Sequence, residues 1–146
     1  MNTKRFKLFL GAIAMGFLGV AGAVAQEENE KEKTPMAKEM KTLSDKLKSL
    51  RTMPKGDFKA GAQAVREAHG ALLKSMAFVP SLIKDMQDGE EKEIALADSR
   101  RLMGQTYALL CELEIAYIKK DGELIGQIMS KLKSVKKEGH KKYTDD

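Results

Sequence analysis

Two side chains near opposite ends of the chain, Met40 and His140, have the types that could do chemistry together. A thioether is a soft, polarisable donor and an imidazole a common iron ligand. Placed on opposite sides of one iron they make an axial set that favours the ferrous state and leaves no open position for oxygen or peroxide. The two lie a hundred residues apart, so only a fold that returns the end of the chain to its beginning can pair them. An up-down-up-down helical bundle does so, because its first and fourth helices are neighbours running in opposite directions. The pairing points to haem held between Met40 and His140, in an electron carrier and not an enzyme.

The elements that must position this pair are legible as apolar periodicities. Thr34 offers a capping hydroxyl and Pro35 a fixed φ, after which Met36, Met40, Leu43, Leu47 and Leu50 recur at spacings of four and three, until Pro54 and Gly56 stop the first helix. Asp57 caps a second helix with Phe58, Ala62, Val65, His69, Leu72 and Met76 inward, and it ends before Pro80 because the residue ahead of a proline resists the helical region. Residues 81–86 form a short turn before Asp88-Gly89. A third helix runs from about Glu90 to Lys120, long enough for its first turns to overhang, with Leu96, Met103, Leu110, Leu113 and Tyr117 on one stripe. After the Asp121-Gly122 turn, Ile125, Ile128, Leu132 and Val135 line a fourth helix. No segment alternates as a half-buried strand must. The fold class expected is all-α, an antiparallel up-down-up-down four-helix bundle.

Residues 1–25 read as a secretory signal: Lys4, Arg5 and Lys7 precede an apolar stretch from Leu8, and Ala23-Val24-Ala25 supplies small residues for cleavage. An uncleaved anchor is the competing reading. Residues 26–33, rich in Glu, form a charged flexible leader, and residues 34–146 the bundle domain. Cleavage predicts a periplasmic protein with no membrane attachment. It also removes three cations, lowering the formal charge of +5 to +2, so the basic balance is no argument for a nucleic-acid partner. An acidic redox protein remains a candidate partner, met by Lys136 and Lys142.

Cys111 is the one cysteine. It excludes the C-x-x-C-H attachment of c-type haem, so the haem must be non-covalent, and among leucines it reads as a buried, inert thiol. His69, at an inward position about 16 Å along the helix from Pro80, reads as a satisfied core histidine. A second metal site with Met76 or Met103 is the sharper alternative. Gly139 costs roughly 1 kcal/mol against alanine in a helix, which close approach of a flat macrocycle or a frayed last turn would explain. With two histidines, neither preceded by Glu three residues earlier, a di-iron site cannot be built. No nucleotide loop, nucleophile elbow or zinc spacing occurs. The rival readings are a haem-free binding or chaperone-like bundle, and a copper binder using Met36, Met40 and His69 or His140.

The segment Glu39-Met40-Lys41-Thr42-Leu43-Ser44-Asp45-Lys46-Leu47-Lys48 resembles the first helix of the cytochrome b562 family, and Lys136-Lys137-Glu138-Gly139-His140-Lys141-Lys142-Tyr143 resembles its closing motif. The resemblance implies that Met40 is the sixth and His140 the fifth ligand of a b-type haem. It further implies that Met36, Leu43 and Leu47 form part of the haem wall, and that Pro80 stands at the turn between the second and third helices, close to the cofactor. The family often presents phenylalanines from the third helix. Here the corresponding turns carry Ser99, Arg100 and Arg101, with Tyr107 further on.

Overall fold

Residues 34–143 are described in a computed structural model of the chain; the signal, the charged leader and the last three residues lie outside the described residues. Thr34 Oγ1 accepts from the Ala37 amide at 3.2 Å and Pro35 opens α1 (Pro35–Thr52). At the following turn Gly56 adopts φ 95°, where a side chain would strain the backbone. Asp57 Oδ1 then accepts from the Ala60 amide at 3.2 Å, starting α2 (Phe58–Ser75). A four-residue turn, α3 (Ser81–Lys84), follows Pro80. The long helix α4 (Glu90–Lys119) carries Glu90, Glu91 and Glu93 in its first turn, where carboxylates oppose the positive end of the helix dipole.

The connection to the last helix, α5 (Gly122–Tyr143), differs from the sequence expectation in one detail. The left-handed residue is Lys120 (φ 58°), and Gly122 is the first residue of α5. Asp121 explains this, since its Oδ1 accepts from the Leu124 amide at 3.0 Å and so acts as an N-cap, moving the reversal one residue back. Among the described residues the regular elements are five helices, with no strand.

Three neighbour pairs pack closely: α1 with α2, α2 with α4, and α4 with α5, while α3 touches α4 and α5. The core between them is built from Leu43 and Leu50 of α1, Val65 and Leu72 of α2, Leu110 and Leu113 of α4, and Ile128 and Leu132 of α5. Fully burying each such side chain contributes roughly 1.5–3 kcal/mol. The inner face of α2 is otherwise mostly small, with Gly61, Ala62, Ala64, Ala68 and Ala71 all buried, which lets α4 approach it closely. Gly61 is the tightest point, because a Cβ built there would lie 2.1 Å from Tyr117 Cε1. Ile83 and Leu102 are also buried but stand outside this cluster.

Candidate functional site

The last turn of α5 is held to α4 by a charge cluster. Asp98 Oδ2 accepts from Lys142 Nζ at 2.9 Å and from the Tyr143 hydroxyl at 2.7 Å, and Asp98 Oδ1 from Arg101 Nε at 2.8 Å. Arg101 also reaches Glu138 at 2.8 Å, and Lys142 reaches Glu138 at 3.1 Å. A terminal helix turn ordinarily frays. Here His140 sits inside a turn tied down on both flanks, at Glu138 and at Lys142-Tyr143.

Hydrogen bonds from Lys142, Tyr143 and Arg101 hold the Asp98 carboxyl far below the usual carboxylate range, and those from Lys142 and Arg101 hold Glu138 below its own. A lowered folded pKa means that the stabilisation is fully present above the unfolded value, near 4, and is lost as pH falls below it. Backbone amides of 138–143 are therefore expected to exchange faster as pH drops from 5 to 2, after correction for intrinsic rates, while those of the α2 core hold. Equal loss of protection in both regions would contradict this.

On its other side α5 meets α1 in a hydrogen bond: Lys136 Nζ donates to Ser44 Oγ at 3.2 Å. No α-carbon of α1 comes within 8 Å of one of α5 among the described residues. These helices therefore stand further apart than the three packed pairs, bridged by a long side chain. Met40 lies one turn before Ser44 and His140 one turn after Lys136.

Met40 and Met36 are half-buried, and Met40 packs against the core. Leu43 is buried and Leu47 half-buried beside it, so both serve the core directly. His140 is exposed. Pro80 is buried, and it lines a cleft of about 140 Å³ together with Met76, Phe78, Val79, Leu96, Ser99, Arg100 and Met103. Ser99 adjoins the Asp98 that binds the last turn of α5, so this cleft and His140 belong to the same end of the molecule.

Phe78 brings an aromatic ring to this cleft from the segment after α2, not from the third helix, where the resemblance directs attention. The signal was available: Phe78-Val79-Pro80 is an apolar run that cannot continue a helix into a proline, and its exposed members border the cleft. Lys142 is engaged by Asp98 and Glu138, and Lys136 by Ser44, so both cations expected to meet a redox partner have internal anchors. Gly139 looks towards α4, where an added Cβ would meet Leu102 Cδ1 at 3.9 Å, and α5 continues unfrayed to Tyr143.

Two expectations are corrected. His69 is not satisfied: its Nδ1 lies 3.6 Å from Glu114 Oε2, beyond hydrogen-bond range, and its Nε2 is buried with no hydrogen-bond partner among the described residues, although its side chain is only 15% exposed. The ring leans on Tyr107 with centroids 5.4 Å apart, while Glu114 takes its strong bond from Arg66 at 2.7 Å. A buried unpaired polar atom costs about 1–3 kcal/mol. Replacing His69 with Leu is therefore expected to leave stability unchanged or raise it by up to about 1 kcal/mol, read as a higher urea midpoint; a clear loss would show that the ring has a partner after all. Cys111 is half-buried and lies outside the core cluster, because its position on α4 turns away from α2 and α5.

Among the described residues no group of three or more His, Cys, Asp or Glu side chains is arranged to hold a metal ion, and no helix is long and apolar enough to cross a membrane. Comparison with protein-family models, characterised proteins and solved structures finds no match to this chain.

Proposed function

We propose that the chain from Gln26 is an exported, periplasmic electron carrier that holds one non-covalent b-type haem between Met40 and His140. In this reading α1, α2, α4 and α5 are the four members of an antiparallel up-down-up-down bundle. The ion pairs favour that arrangement. Lys46 pairs with Glu67, Arg66 with Glu114 and Asp98 with Lys142, and Asp98 and Arg101 reach successively earlier positions of α5, as reversed neighbours do.

The observation that carries the proposal is the Lys136–Ser44 hydrogen bond. If α1 and α5 run in opposite directions, Met40 and His140 each lie about 6 Å from that contact towards the same end, and so stand level with each other. Directly packed helices have axes 8–10 Å apart, and two ligands reaching one iron from opposite sides need more. Of the bundle's neighbour pairs, α1 and α5 alone lack close α-carbon approach. The donor set suits the group chemically as well: a half-buried thioether on α1 and an imidazole on a turn of α5 that a charge cluster holds in place would supply one soft and one nitrogen donor.

Bound haem would supply a one-electron iron couple. Met40 and His140 would hold its iron, the soft sulfur favouring the reduced state, and Met36, Leu43, Leu47 and the Pro80 cleft would be the residues beside it. Exposed Lys137 and Lys141 beside His140 suit an acidic redox protein, with salt-dependent docking. Titration of the purified chain with haem is expected to saturate at one equivalent and to be unaffected by added copper. Failure to take up haem, or displacement of haem by copper, would overturn the proposal.

A further inference from the structure

The apolar pattern of α4 is doubled. Besides its inward stripe it carries a second one, at alternating spacings of three and four, through Ile94, Ala97, Gly104, Ala108, Ile115 and Ile118, with Arg101 and Cys111 completing the repeat. Among the described residues nothing covers the apolar members of this stripe at Ile94, Ala97, Gly104, Ala108, Ile115 and Ile118. Ile94 is 59% exposed, Ile115 49% and Ile118 59%, Ala97, Gly104 and Ala108 are exposed, and a Cβ placed on Gly104 would meet no atom within 4 Å. The seam is about 36 Å long.

We infer that this outer face of α4 pairs with the same face of a second copy of the chain, antiparallel, about a two-fold axis passing between Gly104 and Ala108. The order of the stripe points to a copy of itself. Reversed about that axis, Ile94 comes level with the second copy's Ile118, Ala97 with Ile115, Arg101 with Cys111 and Gly104 with Ala108. Small residues at the waist let the helices approach, and the isoleucines fill the gap that opens as the crossing helices diverge. Such an isologous contact closes on itself and leaves neither stripe exposed.

Charge agrees with this choice of partner and direction. Arg100, which lines the Pro80 cleft, has no ion pair among the described residues and comes within two residues of level with the second copy's Glu114 on the same flank. That carboxylate already faces Arg66 and His69 and can accept a further cation. The half-exposed Tyr107 meets its own counterpart beside the axis. A parallel pairing would instead set Arg101 against Arg101 within the seam, which like charge disfavours.

Sedimentation equilibrium on the chain from Gln26, with the full chain alongside, tests this without reference to haem. The chain from Gln26 is expected to move from single to doubled mass as concentration rises. Ile118→Lys and, separately, Ala108→Arg are expected to weaken the association at least about tenfold with helix content and urea midpoint retained, and Arg100→Glu to weaken it less. A single mass up to about 0.5 mM, doubling only when residues 1–25 are present, or doubling that survives both Ile118→Lys and Ala108→Arg would each overturn the inference.

Discussion

Replacing His140 with alanine is expected to abolish useful haem binding. Loss of a partner that merely orients a metal ligand typically costs 10–100-fold in affinity, so loss of the ligand itself should cost at least about a hundredfold. The fold should survive, because His140 is exposed and the neighbouring Asp98, Arg101, Glu138 and Lys142 cluster does not depend on it for the contacts described. Met40→Ala should differ in kind. Imidazole would still hold the iron, leaving bound haem in a high-spin form of lower potential, because the soft donor that favours ferrous iron is gone. If the His140 variant binds haem as the parent does, the ligand assignment fails, and equal spectra for parent and Met40 variant would remove the methionine alone.

The second large effect is structural. Gly61→Ala should destabilise the domain even though alanine is the better helix former by about 1 kcal/mol. The new methyl would fall 2.1 Å from Tyr117 Cε1, with Cδ1 and Cζ also under 3 Å away. Tyr117 is 8% exposed and part of the core, so its ring has little room to retreat. Overpacking of this kind costs about 1–3 kcal/mol, and pushing α4 away from α2 would also loosen the Arg66–Glu114 pair across the same interface. A lower urea midpoint with unchanged slope is the expected reading. A midpoint at or above the parent's would mean that the ring swings aside without cost.

Helix positions were readable because their signals are local. The Thr34-Pro35 start, the Asp57 cap and the Asp121-Gly122 turn each act over a few residues, and the helices begin and end within a residue or two of them; α2, by contrast, ends at Ser75, five residues short of Pro80, which leaves Met76 exposed at its C-cap and not inward. What was hidden depends on which helix faces which. The pattern of α2 admitted His69 as an inward residue, but only the approach of Tyr107 and Glu114 shows that its Nε2 is left unpaired. The second stripe of α4 was present in the spacing from Ile94 to Ile118, yet with apolar residues on both faces nothing in the sequence says which one is covered. The charge cluster around Asp98 joins residues about forty positions apart, beyond the reach of any local rule. Of the site, Met40 and His140 were legible as a pair of donor types. Their relation through Ser44 and Lys136 became visible only with α1 and α5 in place.

The most direct test is the visible spectrum of the haem-loaded chain, oxidised and then reduced, beside that of its Met40→Ala variant. The parent should be six-coordinate and low-spin in both states, with the variant high-spin and harder to reduce. A parent that is five-coordinate, or a variant indistinguishable from it, would contradict a haem iron held between the sulfur of Met40 and the ring of His140.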